Sequence, residues 1–469
     1  MARLMRCHFC GTLQDEPKGA KTCVRCGGEL GYEAEPGPGE RGSYVLVEME
    51  LDQVAAPAGR NVERHLLITV RTPDSVPKDQ LAPAQAGRMP LGFHSVLDVS
   101  GSMSGEKLSN AKEAVRQALH RLHDGDVILL VTFSNEVQAV VEPVVINHEA
   151  RRVVLAALDE IRATGTTALC GGLELGIAKA LEKHMDTNLL LLLSDGQANV
   201  GETGVEEVGA RAQRARQGDL IVSTLGVGQD YNEALMVEVA TQGGGRFYHV
   251  EHAAQIGAYL AGELGEVAAL AARDAKLELA IPPGAILMPL SPAYTASQDG
   301  QTATIAIGDI PLSSELEIPI RVALPPQRVG TRVSFEGALT YRSPTGNALK
   351  TALNRVTVRV VEEMAFEVRD GAVVPVVERV LGYMRSAGIL SAARAMSKSP
   401  AEGQQARATS TAAVAEYARL LGEDRAEQEL RESRESFDAM GASPAMAKQT
   451  VSQAYARTRG TKDFGKDKS

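Results

Sequence analysis

The chain has 469 residues, a hydrophobic fraction of 44% and a formal net charge of −10, which predicts three or four globular domains. The acidic balance disfavours nucleic acid or an anionic membrane surface as the main partner, and no run approaches the ~20 apolar residues of a membrane span. Because the N-terminus has no apolar stretch typical of a signal peptide, we expect a cytoplasmic protein.

Residues 1–31 contain two Cys-x-x-Cys-Gly motifs, and their thiols match the closed tetrahedral site of structural Zn²⁺. The four predicted zinc ligands are Cys7, Cys10, Cys23 and Cys26. Disulfides or free thiols are the alternatives, but a chain without an export signal disfavours disulfides. The segment resembles a short zinc ribbon, a module with so little core that the metal holds it together.

A linker and two strands are predicted next. Residues 32–42 are rich in proline and glycine, as is typical of a linker. Residues 43–88 contain two apolar runs, 44–51 and 64–70, that read as strands.

Residues 89–266 alternate between apolar strands and amphipathic helices. Strands are predicted at 93–98, 126–133, 137–141, 188–193, 220–225 and 245–250, and helices near 108–122, 169–185, 205–215 and 233–240. Continuous apolar strands between helices indicate a doubly wound, mainly parallel sheet that is covered on both faces. In such α/β folds ligands bind at the carboxyl ends of the strands, at a topological switch point.

Oxygen-bearing side chains follow two of these strand ends. Asp98 ends the first strand, and Ser100 and Ser102 follow at every second position, so the three side chains point the same way. An all-oxygen group of this kind suits a hard cation such as Mg²⁺. Asp195 follows the strand at 188–193, and a loop at 165–173 carries Thr166 and Thr167.

The three loops, in this order, resemble the metal-ion-dependent adhesion site of von Willebrand factor type A (VWA) domains. The resemblance covers about 175 residues and includes Phe133-Ser134 and Gly226-Val227-Gly228. It implies direct metal contacts from two serines and one threonine, and contacts of the aspartates through water. The implied ligands of Mg²⁺, or of Mn²⁺ or Ca²⁺, are Asp98, Ser100, Ser102, Thr167 and Asp195. Thr166 remains an alternative to Thr167, although it also suits a turn or helix cap.

Two further residues close to these motifs, His94 and Cys170, are expected to be structural. His94 lies within the first strand, where we expect a packed histidine and not a metal ligand. Cys170 is the fifth cysteine and lies near a predicted helix start, where we expect a small buried residue.

The rest of the chain changes pattern twice. Residues 267–363 alternate with a period of two, with strands predicted at 276–280, 302–307, 316–322, 332–341 and 349–360. We predict that they form a β-sandwich with residues 43–88, so that the α/β domain is inserted into the sandwich. Residues 370–459 return to helical spacing, which predicts a hairpin or bundle, and residues 460–469 are predicted to be disordered.

The leading functional hypothesis is a non-enzymatic, metal-dependent protein-interaction or scaffold protein. Neutral hydroxyls leave a divalent ion under-neutralised, so that a Glu or Asp of a partner can complete its coordination. The overall plan is similar to that of bacterial VWA proteins with flanking β-sandwich strands and C-terminal helices, and partly to that of inter-α-trypsin inhibitor heavy chains and chloride-channel-regulator-like proteins. For the bacterial proteins the resemblance implies AAA+ ATPases or kinase and phosphatase systems as partners.

Two other functions were considered. A metal at a strand end can support phosphoester hydrolysis, but the chain has no P-loop, nucleophile elbow or aspartyl nucleophile pattern. The zinc ribbon could instead contact nucleic acid as an adaptor, which requires a basic surface beyond its few lysines and arginines.

Overall fold

A computed structural model describes residues 4–6, 13–15, 43–77, 90–196, 198 and 200–459. The four cysteines of the predicted zinc ribbon, the predicted linker and the C-terminal tail lie outside the described residues. The chain divides into two compact units. The sheet unit contains Met1–Ala82, Leu270–Ile389 and Gln404–Phe437. The α/β unit contains Pro83–Ala269, Leu390–Gly403 and Asp438–Ser469.

The predicted strands and helices occur in the predicted order, apart from the strand at 349–360. The first five strands are β1 (Leu4–Arg6), β2 (Leu13–Asp15), β3 (Leu46–Leu51), β4 (Ala55–Pro57) and β5 (Val62–Arg71). The alternating segment contains β6 (Leu91–Asp98), α1 (Glu106–Arg121), β7 (Val127–Phe133), β8 (Val137–Val145), α2 (His148–Glu160), α3 (Leu169–Glu182), β9 (Thr187–Ser194), α4 (Val205–Gln217), β10 (Leu220–Val227), α5 (Glu233–Gln242), β11 (Gly244–Val250) and α6 (Ile256–Ala268). The remaining elements are β12 (Leu270–Ala280), β13 (Ile286–Pro289), β14 (Thr295–Asp299), β15 (Thr302–Pro311), β16 (Glu315–Leu324), β17 (Arg332–Arg342), β18 (Ala348–Ala352), β19 (Val356–Val361), α7 (Val374–Lys398), α8 (Pro400–Ala418), α9 (Glu423–Ala442) and α10 (Pro444–Arg459). The structure adds elements that were not predicted, namely β1, β2, β4, α2, α6, β13 and β14.

The α/β unit is built on a six-stranded sheet with the order β11-β10-β9-β6-β7-β8. All neighbours are parallel except the edge strand β8, which runs antiparallel to β7. Every residue of β6, β7 and β9 is buried, because helices cover both faces of a parallel sheet. The chain moves from β6 to β7 on one side and later returns to β9 on the other side, so the switch point lies between β6 and β9.

The sheet unit contains two largely antiparallel sheets around one hydrophobic core. One has the order β14-β15-β12-β17-β19-β4 with β18 on β17, and the other has the order β13-β16-β5-β3. Residues from both sheets, including Leu66, Leu277, Ile320 and Phe335, share this core. Strand β5 pairs with β16 over ten residues, so segments from both sides of the α/β sequence lie in the same sheet.

The prediction of one strand over 349–360 is wrong. The structure has two strands, β18 and β19, separated by Leu353, Asn354 and Arg355. The Asn354 side chain explains the interruption, because its Oδ1 accepts from the Met49 N–H at 2.7 Å and its Nδ2 donates to the Met49 carbonyl at 2.8 Å. Asn354 thus pairs with β3 through its side chain at the position where β18 and β19 separate.

The C-terminal helices are divided between the two units. In the sheet unit, Val377, Leu381 and Val414 belong to a small helical core. In the α/β unit, α10 packs on β11, where the Tyr455 hydroxyl donates to the Gly245 carbonyl at 3.0 Å. None of the helices in the described ranges is long and apolar enough to cross a bilayer.

Candidate functional site at the strand ends

Asp98 ends the central strand β6 and is fully buried. Its Oδ1 accepts from the Ser100 N–H at 2.9 Å, and its Oδ2 accepts from the Ser194 hydroxyl at 2.5 Å. Leu97 is paired with Leu193 in the parallel sheet, so Asp98 and Ser194 emerge side by side. The β6–β9 pairing therefore places the first and third predicted loops at one point of the sheet edge.

Asp195 follows β9 and is also fully buried. Its Oδ1 accepts from the Ser102 hydroxyl at 2.8 Å, and the hydroxyls of Ser100 and Ser102 lie 3.1 Å apart. Ser100 is extended and buried, whereas Ser102 is exposed. The loop is not extended as the two-residue alternation predicted, because Gly101–Met103 form one turn of 3-10 helix. The Ser102 hydroxyl nevertheless reaches Asp195 from the solvent side, with the Ser100 hydroxyl beside it.

The second loop reaches the same place through backbone hydrogen bonds. The Gly101 N–H donates to the Gly165 carbonyl at 3.1 Å, and the Thr164 N–H donates to the Val99 carbonyl at 2.7 Å. Gly165 has φ of +77°, a conformation that glycine adopts without strain. These contacts fix the second loop against the first.

The structure distinguishes the two candidate threonines. A Cβ added at Gly196 would lie 3.2 Å from the Thr167 Oγ1 and 3.6 Å from the Ser102 Oγ, so both hydroxyls face the third loop. Thr167 is buried. Thr166 is exposed, and its N–H and hydroxyl both contact the Asn135 Oδ1, at 2.6 Å and 2.5 Å. The structure thus brings Thr167, and not the Thr166 hydroxyl, beside Ser102.

The electrostatics of this group favour a bound cation. Burial raises the pKa of Asp98, and the hydrogen bonds from Ser194 and Ser100 partly oppose this effect, while the nearby Asp195 adds to it. The Lys107 ammonium pairs with the Asp195 Oδ2. One lysine, 29% exposed, therefore pairs with one of the two fully buried carboxyl groups.

The donor set fits a hard divalent cation. It consists of two carboxylates and three hydroxyls, all oxygen, which is the ligand type that Mg²⁺, Mn²⁺ and Ca²⁺ share. No group of three or more His, Cys, Asp or Glu side chains with a metal-binding arrangement occurs among the described residues. This is the expected result for a site whose ligands are mostly Ser and Thr.

Sequence reasoning missed Lys107, Ser194 and Asn135. Ser194 stands beside Asp195, and its hydroxyl next to a strand-end carboxylate was the available signal. Lys107 lies in the first turn of α1, where a basic residue is unusual because the helix dipole favours acidic ones. Nothing in the sequence links Asn135 to Thr166, because their contact depends on the loop positions.

The expectations for His94 and Cys170 are confirmed. His94 is fully buried in β6, and burial lowers its pKa to about 4. Cys170 is 3% exposed and is the second residue of α3. Both residues pack within the fold.

Comparisons with known proteins agree with this fold. The sequence profile of the family "von Willebrand factor type A domain" matches residues 95–261. The uncharacterized protein YfbK of Escherichia coli K12 is 29% identical over 49% of this chain and 39% of its own length. The uncharacterized protein sll0103 of Synechocystis is 25% identical over 55% of this chain and 63% of its own length.

Human inter-alpha-trypsin inhibitor heavy chain H3 is 29% identical over 48% of this chain and 26% of its own length. The chain thus spans less than two thirds of each of these three relatives. Domains of this family commonly mediate protein–protein interaction and are generally not enzymes.

Two solved structures share the fold over most of the chain. A von Willebrand factor type A protein from Catenulispora acidiphila has a TM-score of 0.61 and 17% identity, with 90% of this chain and 99% of that chain covered. The ArnB paralog VWA2 from Sulfolobus acidocaldarius has a TM-score of 0.57 and 17% identity, with 90% and 100% covered. Residues 95–261 therefore form a von Willebrand factor type A domain within a longer chain.

Proposed function

We propose that this protein binds a divalent cation, in the first place Mg²⁺, and uses it to hold a Glu or Asp of a partner protein. The proposed ligands are Asp98, Ser100, Ser102, Thr167 and Asp195. The observation that carries the proposal is the convergence of three hydroxyls beside two buried carboxyl groups at the β6–β9 switch point. This geometry supports a metal-dependent interaction or scaffold function.

The position of each ligand suggests its role. Ser102 is exposed at the opening of the site, whereas Asp98 and Asp195 lie fully buried beneath it. Asp98 is held by the Ser100 N–H and the Ser194 hydroxyl, which orient its carboxylate without neutralising it. A bound divalent ion would supply a strong positive charge for a partner's carboxylate, since Mg²⁺ usually keeps exchangeable water ligands. Such a contact is charge-assisted and direction-specific.

The first experiment measures the thermal unfolding of the full chain in EDTA and in excess Mg²⁺. Ligand at 100 times its Kd stabilises a protein by about 2.7 kcal/mol, which corresponds to a Tm increase of roughly 5–10 °C for a domain of this size. Asp98→Ala should show no such increase. If Mg²⁺ stabilises Asp98→Ala as much as it stabilises the natural protein, the proposed site is wrong.

A matched pair of threonine variants tests the ligand set. Thr167→Val should lower Mg²⁺ affinity about tenfold, since it removes one oxygen donor worth about 1.4 kcal/mol. Thr166→Val should leave the affinity unchanged, because that hydroxyl is bound to Asn135. Isothermal titration calorimetry with MgCl₂ gives both values, and the opposite ranking would assign the ligand to Thr166.

We also infer the domain organisation from the strand pairing. Strands β3 and β5 precede the VWA domain and β16 follows it, yet β5 lies between β3 and β16 in one sheet. This pairing supports insertion of the VWA domain into a β-sandwich.

For residues 1–31 the proposal remains a zinc ribbon, which rests on the two Cys-x-x-Cys-Gly motifs. Metal analysis should find one zinc ion per chain, and Cys7→Ser with Cys10→Ser should remove it.

A further inference from the structure

A groove with a basic lining lies beside the metal-binding loops. Its volume is about 430 Å³, and its lining includes Ser104, Lys112, Arg116, Arg162 and Ala163. We call it the basic groove. Every charged side chain that lines it is positive. A ligand for this surface must therefore be acidic.

The basic groove is continuous with the proposed site. Ser104 follows directly after the one-turn helix Gly101–Met103 of the first loop. Ala163 directly precedes Thr164, whose N–H donates to the Val99 carbonyl at 2.7 Å. The groove therefore begins where the first and second loops meet and then continues along α1.

Two of the three cations, Lys112 and Arg162, donate hydrogen bonds to backbone carbonyls. The Lys112 ammonium donates to the carbonyls of Asp159 and Ile161 at 3.3 Å and 3.2 Å, and one Arg162 guanidinium nitrogen donates to the Ile161 carbonyl at 3.0 Å. Carbonyl groups do not neutralise these charges. Burial lowers the pKa of Lys112, the nearby Arg162 and Arg116 lower it further, and the acidic groups of Asp159 and Glu160 partly oppose these effects. The cations are thus close enough to repel one another.

Arg116 has carboxylate partners, but they are exposed. It pairs with Glu113 at 3.4 Å and with Asp159 at 2.5 Å, and these acidic side chains are 53% and 65% exposed. Exposed ion pairs are worth at most about 1 kcal/mol. An incoming carboxylate can therefore replace them at little cost.

We propose that the basic groove binds further acidic residues of the same partner segment whose Glu or Asp reaches the metal. This inference rests on the proposed function. Along α1, Lys112 lies about 9 Å and Arg116 about 15 Å beyond Glu106, at 1.5 Å per residue. An extended chain advances about 3.3 Å per residue. The partner is thus an acidic stretch with carboxylates about three and about five residues from the one that reaches the metal, and not a single exposed acid.

Because these charges lie near the surface, they act mainly on association rate and specificity. Their contribution should fall as salt is added, since the screening length decreases to about 4–5 Å at half-molar salt. The contact through the metal should depend less on salt. The two contributions can therefore be separated in one titration series.

The experiment uses the full chain and three fluorescent peptides of equal length. The first peptide has one glutamate followed by glutamates three and five residues later, among serines. The second has a single glutamate among serines, and the third has none. Fluorescence anisotropy in excess Mg²⁺ gives the affinities. We expect Lys112→Gln/Arg116→Gln to lower the affinity for the first peptide about tenfold at low salt and to leave the affinity for the second peptide unchanged. At about 0.5 M salt the tenfold difference should disappear.

One control variant and one further groove variant accompany Lys112→Gln/Arg116→Gln. Arg152→Gln/Arg214→Gln removes the same charge from exposed helix positions that do not line the groove, and it should not change the affinity. Arg162→Gln is a second groove variant, made in case the double variant disturbs the second loop. It changes an exposed side chain and should weaken binding of the first peptide about threefold.

The outcomes separate this inference from the proposed function. If both basic-groove variants bind the first peptide as well as the natural protein does, the groove inference is overturned, while binding that EDTA and Asp98→Ala abolish still supports the metal site. If the groove variants weaken a binding that neither EDTA nor Asp98→Ala affects, the groove inference is supported as a surface and the metal-dependent function fails. Equal affinity for the first and second peptides overturns the groove inference.

Discussion

Each of the two units buries a carboxylate, but the surroundings differ. In the sheet unit, Asp52 is 1% exposed, and its Oδ2 lies 2.9 Å from the His65 Nδ1 and 3.0 Å from the Tyr417 hydroxyl. In the α/β unit, the hydrogen bonds of Asp98 come from Ser100 and Ser194, both neutral. The histidine on the same strand, His94, lies four residues earlier, about 13 Å away in an extended chain, and is therefore too far away to bind Asp98.

The difference distinguishes a carboxylate that is bound by side chains of the fold itself from one that is suited to bind a cation from solution. A buried carboxylate with a histidine and a tyrosine beside it is stabilised within the fold. A buried carboxylate with only neutral hydrogen-bond donors has no cation bonded to it, and burial raises its pKa because the charged form loses hydration, as at Asp98. A cation from outside the chain relieves this cost. The environment of a buried acid, more than its burial, therefore indicates a binding site.

The largest expected effect is that of Asp52→Ala. It should lower the free energy of unfolding by about 3 kcal/mol, because it leaves His65 and Tyr417 buried without their shared partner. The stabilisation by Mg²⁺ should not change. Urea denaturation with and without Mg²⁺ measures both quantities.

Tyr417→Phe is the matched control for Asp52, because it removes one hydrogen bond and keeps the ring that packs edge-on against His65. A loss of about 1 kcal/mol is expected. The contrast between the two acids would be lost if Asp52→Ala changed the Mg²⁺ response as strongly as Asp98→Ala.

The second effect concerns pH and His94. Its pKa is about 4 in the folded protein, against an ordinary value of 6.5. The unfolded chain therefore binds more protons between these values, and the stability present above pH 6.5 decreases as the pH falls towards 4. His94→Leu should remove up to about 3 kcal/mol of this decrease. Denaturation curves of both proteins across this range test the difference, and parallel curves would contradict it.

The smallest effect is that of Lys107→Met. The lysine pairs with Asp195 and would lie beside a bound metal, so its removal should strengthen Mg²⁺ binding roughly fivefold, for a repulsion of about 1 kcal/mol. Lys179→Met is the control, because Lys179 pairs with Glu142 and Glu182 at the C-terminal end of α3. Calorimetry measures both affinities. Weaker Mg²⁺ binding by Lys107→Met would mean that the lysine supports the site.

The sequence predicted the site residues best where they follow one another at the end of a single strand. Asp98, Ser100 and Ser102 follow a continuous apolar run, and the two-residue period alone predicts that they face one side. Thr167 and Asp195 required the resemblance to the VWA family, because their approach depends on strand order. The Lys107 contact was not predicted, because a lysine in the first turn of a helix has many possible partners.

The remaining differences have similar causes. Helix α2 was not predicted, since its buried face contains only Ala150, Val154 and Leu158. The interruption between β18 and β19 depends on the contact of Asn354 with Met49, which lies 305 residues earlier. The division of the C-terminal helices between two units depends on tertiary packing, which helical periodicity does not encode.

The contact between Met49 and Asn354 also affects how the chain is made. At about 5–20 residues per second, a ribosome needs roughly 15–60 s to deliver the 305 residues that separate these partners. During this time β3 and β5, which are rich in Val, Leu and Ile, have emerged and can pair with each other. For most of it they lack β16, which pairs with β5, and the strands of the other sheet that share their core. The VWA sequence emerges within the same interval. Nascent β3 and β5 are therefore candidates for chaperone protection until the second half of the sheets is synthesised.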